Sequence, residues 1–129
     1  MCAKQFKNEE HTAESCTASI AAVKDALYVL NGKWKLPLII ALQNGPKRFN
    51  EIQRALGDIT PKILAKELRE MELNEFVLRN VDTGTPVVVT YELTGYSNSL
   101  ETVLAELRNW GLQHRKKIKA SMRKKEVTG

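Results

Sequence analysis

The chain has 129 residues, a length that fits one ordinary domain with a single hydrophobic core. Its hydrophobic content of 43% and charged content of 27% are those of a globular protein, which excludes a disordered or fibrous chain. The formal net charge of +5 is unevenly distributed, because residues 114–129 carry +6 and residues 1–113 carry −1. Residues 47–69 form a second basic segment with a local charge of +3. The basic charge is therefore concentrated in two places.

Export and membrane insertion are not expected. The N-terminus is polar, and the longest apolar runs are too short to span a bilayer. Two cysteines, Cys2 and Cys16, do not make a disulfide framework, so we expect a protein of the reducing cytoplasm. The cysteines and the two histidines, His11 and His114, are too widely separated for a zinc pattern, and no metal or cofactor is expected.

Four helices are predicted in the first part of the chain. Apolar residues at helical spacing define the first helix, and Asn31-Gly32 ends it. The break at residues 44–46 precedes the third helix. Thr60 then caps the fourth helix, with Pro61 at its first position. The predicted helices span about residues 17–30, 33–43, 49–56 and 61–73.

The sequence pattern then changes to β-branched and aromatic residues. Residues 76–81 and 87–93 are predicted as strands, and the turn residues 82–86 join them as a hairpin. Thr94 opens a long last helix, which the basic segment 114–129 follows. The predicted fold is mainly α with a small β-hairpin (α+β class). It is a winged helix-turn-helix with extra N- and C-terminal helices.

The fourth helix has one cationic and one apolar face. At about 100° per residue, Lys62, Lys66 and Arg69 lie within about 60° of each other. A helix that is anchored by its apolar face and offers cations on the other suits the major groove of DNA. The apolar residues on the opposite side are Leu64, Leu68 and Met71.

Several short motifs resemble the HxlR-type winged helix-turn-helix transcriptional regulators of bacteria. They include Gly32-Lys33-Trp34, then GPKRFNEI at residues 45–52 and ITPKIL at residues 59–64. The resemblance covers about residues 16–110 and implies a DNA-binding homodimer that regulates nearby genes. The chain departs from the family pattern in having Val87-Val88 after Pro86, where a basic residue is common.

This resemblance and the cationic face together predict a surface for double-stranded DNA. The recognition helix, about residues 60–73, would enter the major groove, and the hairpin wing, about residues 76–93, would lie near the backbone. Phosphate contacts position such a protein, whereas contacts to base edges carry sequence preference. The candidate DNA-binding residues are Lys47, Arg48, Thr60, Pro61, Lys62, Lys66, Arg69, Arg79, Thr83 and Thr85.

The terminal helices are predicted to form a homodimer interface, because a small winged helix is already complete without long flanking helices. The predicted organisation is a flexible N-terminus (residues 1–15), a winged domain with flanking helices (residues 16–113) and a basic extension (residues 114–129). A two-fold dimer would read two half-sites roughly 34–36 Å apart. The candidate interface residues are Ile20, Val23, Leu27, Leu100, Val103, Leu104, Leu107 and Trp110.

Two alternatives stay open. In a redox- or ligand-sensing regulator, an oxidant or small molecule would switch DNA affinity through Cys16 or an interface pocket. Cys16 lies just before the predicted first helix, where a thiolate is more reactive than a free one, and the simpler interpretation is an inert, half-buried thiol. The second alternative is a protein-interaction or RNA-binding winged-helix module. An enzyme is not expected, because the chain contains no G-x-S-x-G elbow, P-loop, G-x-G-x-x-G or H-E-x-x-H motif.

Overall fold

The computed structural model describes the backbone of residues 13–128 and the side chains of residues 13–124. These residues form a mainly helical structure with one antiparallel hairpin, which confirms the predicted fold class. The described elements are helices α1 (Ala13–Val29), α2 (Lys35–Leu42), α3 (Phe49–Leu56) and α4 (Pro61–Leu73), strands β1 (Val77–Asp82) and β2 (Val88–Leu93), a 3₁₀ helix (Tyr96–Leu100) and helix α5 (Glu101–Thr128).

The chain divides into two compact units between Lys35 and Leu36. The first unit contains α1, which has no buried residue and begins four positions before the predicted start at residue 17. The expected flexible N-terminus, residues 1–15, therefore overlaps the start of this helix, and residues 1–12 lie outside the described part. After α1, the Lys33 Nζ atom lies 4.9 Å from the centroid of the Trp34 ring, a cation–π distance.

The second unit has its hydrophobic core where α2, α3, α4 and β1 contribute apolar side chains. Helix α4 contributes three of these side chains from one face, which fixes the rotation of this helix about its axis. None of the described helices combines the length and apolar character needed to cross a bilayer. The side chains with less than 2% exposure are Leu38, Ile39, Leu42, Ile52, Leu64, Leu68, Met71 and Val77.

In the hairpin, β1 and β2 are paired over six residues, from Val77 opposite Leu93 to Asp82 opposite Val88. Each strand begins one residue later than predicted. Val77 is buried, the rest of β1 is exposed and β2 is half-buried along its whole length, so the hairpin lies at the edge of the core as a wing. At its tip, the Asp82 carboxylate accepts a hydrogen bond from the Gly84 N–H at 3.1 Å, which stabilises the turn.

The last helical segment differs from the prediction at both ends. A 3₁₀ helix precedes α5, because the N–H groups of Ser97 and Asn98 donate to the carbonyls of Thr94 and Gly95 three residues back. Helix α5 then continues without a break through the basic segment to Thr128. Lysine and arginine are good helix formers, and their charges favour the C-terminal end of a helix.

Candidate nucleic-acid interface

The turn between α3 and α4 is held by glycine geometry and two hydrogen bonds. Gly57 has a φ angle of +84°, a backbone conformation that residues with a side chain rarely adopt. Its N–H donates to the Gln53 carbonyl at 3.0 Å. The Gln53 side-chain amide donates to the Ile59 carbonyl at 3.3 Å. Ile59 is itself buried, so the turn is fixed to the core at its far end.

Helix α4 begins with the predicted cap. The Thr60 hydroxyl oxygen accepts a hydrogen bond from the Ile63 N–H at 3.3 Å, and Pro61 occupies the first position, where a missing N–H costs nothing. The positive end of the helix dipole lies here. This end of α4 therefore favours an approaching anion such as a phosphate.

The two faces of α4 lie as predicted. Lys62, Lys66 and Arg69 are all exposed. The Lys66 Nζ atom lies 3.8 Å from a carboxylate oxygen of Glu70, and both side chains are substantially exposed, at 67% and 37%. An exposed pair one turn apart is worth only about 0.3–0.5 kcal/mol, so Lys66 can exchange this partner for a phosphate at little cost. On the opposite side, Leu64, Leu68 and Met71 are no more than 1% exposed.

A second group of cations is assembled by backbone pairing at the base of the wing. The Lys47 N–H donates to the Tyr91 carbonyl at 2.9 Å, and the Tyr91 N–H donates to the Lys47 carbonyl at 2.8 Å. Arg79 pairs with Tyr91 from the other side, in the ladder between β1 and β2. Residues that are directly paired point to the same face of a sheet, and neighbouring strands lie about 4.8 Å apart. We call Lys47, Tyr91 and Arg79 the wing row.

The sequence predicted Lys47 and Arg79 as separate contacts, and it missed both the backbone bridge and the central place of Tyr91. The bridge joins residues that are far apart along the chain, and no local pattern predicts it. Of the other candidates, Arg48 is exposed at the start of α3, where its N–H donates to the Glu51 carboxylate at 2.8 Å.

The two threonines of the wing loop, Thr83 and Thr85, are exposed beyond the last strand pair. Three ladder steps separate that pair from the wing row, so the loop lies roughly 10 Å from it. Among the described residues, no group of three or more His, Cys, Asp or Glu side chains is arranged to hold a metal ion.

Comparison with known proteins agrees with this geometry. The sequence profile of the HxlR-like helix-turn-helix family matches residues 29–119. The chain belongs to the HxlR-like family. The resemblance, predicted over about residues 16–110, is thereby confirmed from residue 29 onward, which includes both helices of the helix-turn-helix and the wing, and the match continues along α5 to residue 119.

Three relatives illustrate the match. The HTH-type transcriptional regulator YtcD of Bacillus subtilis is 40% identical over 93 residues, covering 72% of this chain and 74% of that protein. YodB, another HTH-type transcriptional regulator of B. subtilis, is 40% identical over 91 residues, covering 70% and 81%. The solved structure of the redox regulator HypR in its reduced form is 35% identical, with a TM-score of 0.72, and covers 77% of this chain and 98% of that one.

Membership in the HxlR-like family decides the general function. The matched relatives are helix-turn-helix transcriptional regulators, and the described fold has the same helix-turn-helix and wing. The protein is therefore a DNA-binding transcriptional regulator.

Cys16, the candidate redox residue, lies in the first turn of α1 and not just before the helix as predicted, because α1 begins at Ala13. Cys16 is half-buried, as expected, but it is disulfide-bonded, whereas the sequence suggested an unpaired thiol. Disulfide formation depends on the distance between two cysteines in space, which their spacing along the chain does not fix. Cys2 lies outside the described residues.

The candidate dimer residues divide by exposure. On α1, Ile20, Val23 and Leu27 are each more than half exposed. On α5, Trp110 is 64% exposed and stacks on His114, with 4.9 Å between the ring centroids. Val103 and Leu107 are about half exposed, Leu100 is half-buried, and Leu104 is buried within the chain itself.

Proposed function

We propose that the protein is a sequence-specific regulator that inserts α4 into the major groove of double-stranded DNA, with the hairpin wing near the sugar-phosphate backbone. The observation that carries this proposal is the two-sided α4. Its inner face is buried in the core, and Lys62, Lys66 and Arg69 occupy its outer face. A helix held in this way presents its cations without rearrangement of the backbone, which lowers the entropy cost of binding.

The proposed contacts divide into two kinds. Thr60 and Lys62, at the N-terminal end of α4, lie nearest the bases or phosphates, and Lys66 and Arg69 continue along the groove or its rim. The cations of the wing row hold the phosphate backbone and fix the register. Arg48, Pro61, Thr83 and Thr85 complete the proposed contact surface.

We also propose that the protein binds as a homodimer through apolar side chains of α1 and α5. Exposed apolar residues on both helices support this, since large exposed apolar patches on a single chain mark interaction sites. The exposed members Val103, Leu107 and Trp110 would meet the partner, whereas Leu104 would support α5 from the core side. A two-fold dimer presents two recognition helices to two half-sites. We place this regulator in the cytoplasm and assign no catalytic role to any residue.

The test begins with selection of a preferred duplex from random DNA by the full-length protein. Binding to that duplex is then measured by fluorescence anisotropy over a range of salt concentrations. The test variant carries Lys62→Ala, Lys66→Ala and Arg69→Ala. The control variant loses the same three charges from exposed positions of α5, through Arg115→Ala, Lys116→Ala and Lys119→Ala.

We expect the α4 variant to lose affinity for the selected duplex. Its dependence of log K on log salt should flatten by about 0.9 for each phosphate contact that is lost. The control variant should keep its preference for the selected sequence. Equal losses in the two variants would mean that binding follows net charge, and the role of α4 would then be wrong. Equal or tighter binding of RNA would favour the RNA-binding alternative.

A redox-sensitive regulator is the second candidate, because Cys16 is disulfide-bonded and a 35%-identical structure is named a redox regulator. A dithiol that gives up two electrons and two protons converts a disulfide to two thiols. If this bond controls binding, reduction changes the DNA affinity of the wild type and leaves Cys16→Ser unchanged. An equal response of both proteins, or no response in either, would exclude Cys16 as the switch.

A further inference from the structure

A pocket of about 350 Å³ lies beside the end of β2, between α2, the 3₁₀ helix and the first turns of α5. This volume falls within the range of small-molecule sites. Its lining combines an apolar floor with a polar rim. The floor includes the buried side chains of Ile39 and Leu104, and the rim includes Gln43, Asn98, Glu101 and Arg108.

The rim carries two opposite charges on the same helix. Glu101 and Arg108 are two helical turns apart on α5, which separates their backbones by about 10 Å. A guanidinium binds a carboxylate through paired hydrogen bonds, and a carboxylate accepts a hydrogen bond from a hydroxyl or amine. The apolar floor between them suits a hydrocarbon body. The complementary ligand is therefore an elongated organic acid with a hydrogen-bond donor at its far end.

The pocket wall is joined by hydrogen bonds to the segment that follows the recognition helix. Ser97, which is 3% exposed, lines the pocket and donates its hydroxyl to the Thr94 carbonyl at 2.6 Å. The Thr94 hydroxyl in turn donates to the Glu75 carbonyl, and the Thr94 N–H donates to the Phe76 carbonyl at 3.0 Å. Glu75 and Phe76 connect α4 to β1. A ligand that moves Ser97 therefore acts on the bonds that hold the connector between α4 and β1.

We propose that this pocket binds an amphipathic organic acid, with its carboxylate at Arg108 and a hydroxyl or amine at Glu101, and that its occupancy changes the affinity for DNA. The first part stands on the pocket alone. The second part rests on the proposed function of α4. By thermodynamic linkage, DNA must change the affinity for the ligand by the same factor as the ligand changes the affinity for DNA.

The binding test uses isothermal titration of the full-length protein with 8-hydroxyoctanoate. Three analogues each change one feature. Octanoate lacks the hydroxyl, 1-octanol lacks the carboxylate, and 4-hydroxybutanoate has both groups on a shorter chain. Two variants address the site: Arg108→Gln removes the charge, and Ala105→Leu fills space from an exposed helical position that lines the pocket. Arg115→Gln is the matched control, since it removes the same charge from an exposed residue of α5 outside the pocket.

We expect saturable binding of 8-hydroxyoctanoate that Arg108→Gln and Ala105→Leu each weaken by about tenfold, the equivalent of about 1.4 kcal/mol, and that Arg115→Gln leaves unchanged. Each of the three analogues should bind more weakly. The pocket assignment is overturned if no saturable binding occurs, if 1-octanol binds as well as the acid, or if Arg108→Gln and Arg115→Gln behave alike.

The regulatory part is tested by anisotropy with the selected duplex, with and without saturating 8-hydroxyoctanoate. A shift in DNA affinity that disappears in Ala105→Leu supports it. Ligand binding with an unchanged DNA affinity overturns the regulatory part alone. If the protein binds the ligand but selects no duplex, the proposed role of α4 fails and the pocket assignment stands.

Discussion

The packing of α4 on the core makes a quantitative prediction, because two of its three leucines are buried and the third is exposed. Leu64 is fully buried, whereas Leu73 is 76% exposed. Truncation of a buried leucine to alanine removes its transfer free energy and leaves a cavity, at a cost of about 3–5 kcal/mol. The same change at an exposed helical site stays within about 0.5 kcal/mol. For a chain of this size, we expect Leu64→Ala to lower Tm by at least about 10 °C.

The assay is thermal and urea unfolding of wild type, Leu64→Ala and Leu73→Ala, followed by circular dichroism. Leu73→Ala should melt with the wild type. At a temperature where Leu64→Ala remains folded, it should still bind the selected duplex, since it removes no cation. Equal midpoints for the two variants would refute the reasoning, because α4 would then not be oriented by its buried face, and the outward direction of its cations would lose its physical basis.

The other predictions concern the turn and the cap. Gly57→Ala should cost about 1–3 kcal/mol from backbone strain alone, since φ is +84° and no atom lies within 4 Å of the added carbon. Gly95→Ala, also with open space but φ of −59°, should change the urea midpoint little. Thr60→Ala should cost about 1 kcal/mol by removing the cap, and Thr60→Asn should restore stability. A Thr60→Ala protein as stable as the wild type would show that the 3.3 Å cap bond contributes nothing to the free energy of unfolding.

The helix-turn-helix could be predicted from the sequence because its signals are local. Helices α3 and α4 have the predicted bounds, since a break precedes α3, Gly57 follows it, and Thr60-Pro61 starts α4. Helix α2 is shorter than predicted at both ends. There the residues after Gly32, which has φ of +91°, do not enter the helix until Lys35. The helical spacing of apolar residues in the sequence extends into such a segment, although the backbone there is not helical.

In the candidate site too, the features that depend on local sequence were predictable, and those that depend on long-range contacts were not. The cationic face of α4 was predictable because residues three and four apart share a helix face whatever the rest of the fold does. The wing row was not predictable, because Lys47 and Arg79 are brought together only by backbone pairing of each with Tyr91. That pairing depends on the tertiary fold of the chain. The pocket at Arg108 was missed for the same reason, since its lining comes from four separate elements.

The wing and the helix-turn-helix form one hydrogen-bonded circuit within the second unit. Lys47, just before α3, is bonded to Tyr91 on β2, and β2 pairs with β1, which continues from α4. At the end of that helix, the Phe76 N–H donates to the Met71 carbonyl at 2.9 Å. Because these bonds connect the wing row to α3 and α4, we expect the backbone segments that carry the two groups of cations to move together. We therefore expect a signal that changes DNA affinity either to act through the proposed dimer contacts or to break one of these bonds. The proposed pocket is linked to them at Thr94, whose N–H donates to the Phe76 carbonyl.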